Sequence, residues 1–151
     1  QSKNYEHEIV GGNSRLDSIN AFILKEKLDI FSKICDSRNR FYKYYMENLK
    51  DIEWINLPQK NNNKTVLNYF TISVPVKVRS KLMGYLSAKN IGNAVYYKTP
   101  IHLQKVISNN SKKITLKNTE IASKQVLSLP LYSFPKDDEL EYITTALRNF
   151  Q

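Results

Sequence analysis

The chain has 151 residues, 41% hydrophobic and 25% charged, a balance that supplies one sizeable core and argues against intrinsic disorder. Its single cysteine, Cys35, excludes an internal disulfide and any zinc-finger spacing, and with only His7 and His102 no multi-histidine metal site is expected. A formal net charge of +9 points to anionic partners without choosing among nucleic acid, phosphates and nucleotides.

No apolar run is long enough to cross a bilayer and no secretory leader opens the chain, so no membrane partner and a cytoplasmic location are expected. The first residue is Gln1 rather than Met, and a portion of a longer protein is expected. Residues 1–12 read as extended or loop and end at the pair Gly11-Gly12. Ser14 and Asp17 follow in the spacing of a capping box, which predicts a helix start there. With Arg15 beside free amides, the same start is a candidate anion site.

From Arg15 to about Lys50, Leu16, Ile19, Ile23, Leu28, Phe31, Ile34, Phe41, Tyr45 and Leu49 recur at steps of three and four. That period predicts one long amphipathic helix, about 50 Å in length, long enough to span between domains. The organisation expected is therefore residues 1–50 as an N-terminal segment and connecting helix, and residues 51–151 as a small α/β domain.

Residues 53–57 read as a short strand ending at Pro58, followed by an asparagine-rich loop. Residues 66–74 alternate Phe70, Ile72 and Val74 with Thr71 and Ser73, the period of a half-buried strand. Residues 78–89 carry a helical pattern, and Asn90 is placed as its left-handed stop. A second strand is expected at residues 92–98, where Tyr96 and Tyr97 would point to opposite faces. Lys112, Lys113 and Lys117 lie in a polar stretch without aromatics and read as a solvated loop. A short helix from about residue 119, capped by Asn118, an extended segment at 127–132 and a final helix opening on Asp137, Asp138 and Glu139 complete the chain. The sum is a two-layer α/β arrangement, a small antiparallel or mixed sheet with helices packed on it, preceded by the long helix.

Several stretches carry a resemblance. Tyr5-Glu6-His7-Glu8, then residues 11–21 with Asn13-Ser14-Arg15-Leu16-Asp17, then Lys27-Leu28-Asp29 and Arg40 with Tyr44-Tyr45 resemble the second half of the DegT/StrS sugar-nucleotide aminotransferases. Tyr96-Tyr97 with Pro100-Ile101-His102-Leu103-Gln104, Glu120-Ile121-Ala122 and Val126-Leu127-Ser128-Leu129-Pro130-Leu131-Tyr132 agree in the same order. The wording around Asn13 looks most like members that aminate a 3-keto-6-deoxyhexose on a nucleotide diphosphate.

The resemblance implies a pyridoxal-phosphate enzyme of fold type I. It would work as a homodimer and move an amino group from an amino acid, usually glutamate, to a nucleotide-linked keto-sugar. This chain would correspond to its small C-terminal domain. Asn13 matches a residue that contacts the cofactor phosphate in the neighbouring subunit, with Arg15 as its companion. Tyr96 and Tyr97 match positions facing the sugar or pyrophosphate, although many relatives have histidine at the first. His102 matches a position toward the nucleotide end, its alternative being a loop histidine held by hydrogen bonds. The Schiff-base lysine and its partner aspartate lie upstream in the family, so no catalytic residue is assigned here and the isolated chain is expected not to transaminate. The competing readings are a non-catalytic nucleotide-sugar or protein-binding domain and a basic nucleic-acid module, the latter drawing on charge alone.

Overall fold

The structure is a computed structural model and describes residues 14–59, 66–108 and 114–150. The chain divides into two compact units, Gln1–Ser32 and Lys33–Gln151.

In the first unit, helix α1 spans Ser18–Asp29. Its cap is Asp17, not the expected Ser14: the carboxylate accepts the Asn20 amide at 2.9 Å and the Asn20 side-chain amide at 2.6 Å. A charged acceptor at the positive end of the helix outcompetes a hydroxyl three residues further out. The Asn20 backbone hydrogen bond, followed by the side-chain one, lowers the Asp17 pKa. No residue of α1 is buried, and Ile19, Phe22, Ile23, Leu24 and Leu28 are all exposed.

The single long helix expected is interrupted at Ile30, where φ is −106° and ψ is 4°. Asp29 sits where the helix dipole disfavours a negative charge, and the β-branched Ile30 has low helix propensity, so this is a weak point in an otherwise continuous pattern. Helix α2, Phe31–Asn48, then carries the chain into the second unit, burying Phe41 and Tyr45 one turn apart.

The sheet of the second unit pairs β1 (Phe70–Ser73) antiparallel to β2 (Val126–Leu129), with Phe70 opposite Leu129 and Ser73 opposite Val126. The strands expected at 53–57 and 92–98 contribute one bridge each, Asn56 to Ser73 and Ala94 to Ser128, one on either side of the pair. Phe70 and Ile72 are buried while Thr71 and Ser73 are half-buried, as the alternation predicts.

Helix α3 (Val76–Ala88) ends before Asn90, which takes φ 56°, the left-handed stop expected of it. A 3-10 turn, Ile101–Leu103, leads into α4 (Lys105–Ser108). Helix α5 (Lys117–Gln125) begins before Asn118, the cap predicted for it. The Glu120 carboxylate accepts the Leu116 amide at 3.1 Å and so serves that helix start. Helix α6 (Asp137–Arg148) opens with three acidic residues in its first turn and buries Leu140, Ile143, Thr144, Ala146 and Leu147.

The core lies between the sheet and α2, α3 and α6. Phe41, Tyr45, Phe70, Ile72, Leu82, Leu86, Leu127, Leu140 and Leu147 are buried there. Tyr45 links α2 to the sheet, its ring centroid 4.6 Å from that of Phe70 and its hydroxyl donating to the Pro130 carbonyl at 3.0 Å.

At the surface, Arg148 donates twice to Asp51, at 2.7 and 2.9 Å, tying the end of α6 to the residues after α2. The Arg148 hydrogen bond, the largest cause, lowers the Asp51 pKa below its ordinary 3.8. A depressed carboxylate contributes stability that is present above the unfolded-state pKa and lost as pH falls through the folded-state pKa. The pair is solvent-exposed and screened, so its contribution is small. Arg148→Ala is therefore expected to flatten the acid limb of the stability curve. The urea midpoints at about pH 7 and about pH 3 converge in the variant relative to wild type, and an unchanged difference would contradict the assignment.

Candidate functional site

The site builds up from the segment that follows the Ala94 bridge. Extended geometry ends near Val95, and Tyr96 and Tyr97 fall in a turn, their mutual peptide bond cis. Strand alternation therefore does not separate them. Both line one cavity of about 540 Å³. Thr99, Pro100, Ile101 and Gln104 continue that wall. Opposite stands α5 with Thr119, Ala122 and Ser123.

The loop wall is internally braced. The Gln104 side-chain amide donates to the Thr99 carbonyl at 3.3 Å, and Leu103 N donates to Pro100 O at 3.0 Å. Helix α5 is tied to α3 behind it, where the Arg79 guanidinium donates to the Ser123 carbonyl, and within α5 the Ser123 hydroxyl donates to Glu120 O at 2.9 Å.

Tyr96 also borders a second cavity of about 330 Å³ that reaches Asn68, Tyr69 and Asn93. The Tyr69 and Tyr96 ring centroids lie 4.6 Å apart and those of Tyr96 and Tyr97 5.5 Å apart, forming an exposed row of three tyrosines. Arg38 of α2 holds the approach to Tyr69, donating to Leu67 O at 3.1 Å and Asn68 Oδ1 at 2.8 Å. The rings are tilted at 47° and edge-to-face at 68°, and exposed phenol rings beside amides and hydroxyls suit a polar ring system such as a sugar or base. Tyr69 had no assigned role in the sequence; the one signal for it was its place next to the buried Phe70, on the opposite side of the strand.

His102 does not line either cavity. Its side chain is only 8% exposed, and Nε2 lies 3.1 Å from Glu120 Oε1. That hydrogen bond, ahead of the Leu116 amide, lowers the Glu120 pKa. Arg15 is exposed at the approach to α1, with no ion pair among the described residues. The Asp17 carboxylate already accepts the Asn20 amide of that helix start, and the exposed Arg15 guanidinium stands beside it. Asn13, Lys112 and Lys113 lie outside the described residues, and Lys117 is the first residue of α5.

A larger cavity of about 670 Å³ lies at the start of α6, bordered by Tyr132, Tyr142, Asp138 and Glu139. Its carboxylate Glu139 is committed to structure, accepting from Lys136 N at 2.9 Å and the Tyr132 hydroxyl at 3.1 Å. Among the described residues no three His, Cys, Asp or Glu gather as a metal site, and no helix is long and apolar enough to cross a membrane.

The second unit is thus an α/β arrangement with a tyrosine-lined cavity between its 96–104 loop and α5. The chain belongs to the DegT/DnrJ/EryC1/StrS aminotransferase family, which it matches over residues 1–148. It is 31% identical to a dTDP-3-amino-3,6-dideoxy-alpha-D-galactopyranose transaminase of Aneurinibacillus thermoaerophilus, across 98% of this chain and 40% of that protein. It is 31% identical to a UDP-2-acetamido-2-deoxy-3-oxo-D-glucuronate aminotransferase of Pseudomonas aeruginosa, across 99% of this chain and 40% of that protein. Among solved structures it is similar to ntda from Bacillus subtilis with bound cofactor PMP, with a TM-score of 0.84 and 27% identity over 97% of this chain and 35% of that one. The chain thus spans about 40% of the length of these curated relatives.

Proposed function

We propose that this chain is the part of a pyridoxal-phosphate-dependent, homodimeric aminotransferase that helps hold a nucleotide-linked keto-sugar while an amino acid, glutamate in the first instance, supplies the amino group. The observation that carries the reading is the cavity shared by Tyr96 and Tyr97, in a chain of this family whose relatives include dTDP- and UDP-sugar transaminases.

The geometry supports one division of labour. Tyr96, Tyr97, Thr99 and Gln104 offer stacking faces and polar groups to the sugar nucleotide. His102 acts from behind the wall by fixing the turn that carries Ile101. Arg15, exposed and unpaired among the described residues, fits one contact to a cofactor phosphate, with Asn13 its companion in the same role. When bound, pyridoxal phosphate supplies the electron sink that lets nitrogen leave one carbon skeleton for another. The residues described here orient and retain; the bond-making lysine is proposed to lie in sequence upstream of Gln1. A cytoplasmic enzyme is the corresponding location.

The test is expression of the reading frame extended upstream of Gln1, assayed with pyridoxal phosphate, glutamate and dTDP- or UDP-linked 3-keto-sugars. Formation of an amino-sugar nucleotide with one equivalent of 2-oxoglutarate is expected. A pure, cofactor-loaded protein that turns over none of these substrates would refute the assignment.

A further inference from the structure

The two walls of the Tyr96–Tyr97 cavity belong to different pieces of chain, and something must set the gap between them. One wall is the loop through Gln104; the other is α5. The loop's internal hydrogen bonds keep its own shape but do not reach α5. Among the described residues, a hydrogen bond that does reach it is His102 Nε2 to Glu120 Oε1 at 3.1 Å.

The two partners are unequally anchored. Glu120 is a fixed post: its amide donates to Leu116 O at 2.9 Å, its carboxylate accepts Leu116 N at 3.1 Å, and its carbonyl accepts the Ser123 hydroxyl at 2.9 Å. His102 sits on a three-residue 3-10 turn whose other members face outward, Ile101 being 78% exposed. The imidazole alone is turned inward, its side chain 8% exposed. Where Glu120 stands, the turn is drawn with it.

The chemistry also selects one form of the ring. An ionised carboxylate can only accept, so Nε2 must carry the hydrogen, and in the neutral ring Nδ1 is left as the acceptor. We propose that Glu120 is a positioning residue for the ligand loop, holding His102 as its Nε2–H tautomer against α5 and thereby setting the gap in which Thr99, Ile101 and Gln104 meet the sugar nucleotide. The ligand in this proposal rests on the reading in the preceding subsection; the bridge itself does not.

Two side-chain changes separate the roles. In Glu120→Gln the amide oxygen can still accept from both His102 Nε2–H and Leu116 N–H, so charge is lost but geometry is kept. In Glu120→Ala a nearly buried ring loses its acceptor, and the turn is released toward water.

The experiment is ring-nitrogen NMR of ¹⁵N-histidine-labelled protein expressed from the reading frame extended upstream of Gln1, together with calorimetric titration of UDP-N-acetylglucosamine as the probe. Wild type and Glu120→Gln are expected to show the Nε2–H tautomer and affinities within about threefold of each other. Glu120→Ala is expected to show averaged tautomers and a loss of about 10- to 100-fold, the scale of a misplaced contact. His102→Ala should match that loss, and the double variant should lose no more than either alone. Ring shifts that stay native in Glu120→Ala, altered shifts with unchanged affinity, or additive losses would overturn the proposal. Should Glu120→Ala not fold, His102→Gln against His102→Ala decides the same point, since only the glutamine retains a donor for Glu120; equal losses in the two would overturn it. Wild-type protein from the extended frame without affinity for the probe removes the nucleotide-sugar reading, whereas the ring shifts still decide what Glu120 does to His102.

Discussion

Tyr45→Ala is expected to destabilise the chain by about 3–5 kcal/mol, the range for deleting a large aromatic from a packed core. Tyr45 is fully buried, and its ring meets Phe41 at 4.7 Å and Phe70 at 4.6 Å between centroids. The cavity left would lie where α2 meets β1, too enclosed for neighbouring side chains to collapse into without moving the strand. The hydroxyl can be weighed separately. Burial, with a smaller contribution from Tyr132, raises the Tyr45 pKa well above its usual 10.0, so the group is a neutral donor to Pro130 O. Tyr45→Phe removes that donor and leaves a carbonyl unpaired, at about 1–2 kcal/mol. Urea unfolding followed by circular dichroism checks both numbers. An alanine variant with the wild-type midpoint would mean that α2 does not dock as described.

Arg15→Ala is expected to weaken pyridoxal-phosphate retention by about 10- to 100-fold in the enzyme expressed from the extended reading frame, the scale of one lost charge-assisted phosphate contact. The unfolding midpoint should not move, because Arg15 is exposed and makes no ion pair among the described residues. At the adjacent helix start the Asp17 carboxylate accepts the Asn20 amide, and the Asn20 hydrogen bonds depress its pKa. Cofactor affinity is read from the visible absorbance during dialysis, and stability from thermal melts of the cofactor-free protein. A variant that unfolds while keeping its affinity would assign Arg15 to the fold and not to the phosphate.

Much of the second unit was legible from local pattern. The acidic first turn of α6 and its stripe of Leu140, Ile143 and Leu147, the alternation of Phe70 with Ile72, and Asn90 as a left-handed stop each follow from neighbours in sequence. Tyr96 and Tyr97 were legible as a pair by resemblance, but not their sharing of one cavity, because that depends on the chain leaving extended geometry after the Ala94 bridge. His102 was legible as a residue of the loop; its partner was not, since Glu120 stands eighteen positions away on another element.

Sequence alone therefore determined the family wording, the helical and strand periods and the residue types around the cavity, all of which are local properties of the chain. Only the tertiary structure decided that the helical pattern breaks at Ile30 and that the residues at 92–98 contribute one bridge and not a strand. It alone, too, turns His102 inward onto Glu120. The Ile30 break has a local cause in Asp29 and the β-branched Ile30, whereas the other two cases share one physical reason. A periodic pattern states which side of a segment is apolar, whereas burial, pairing and the partner of a polar group depend on what arrives from elsewhere in the chain.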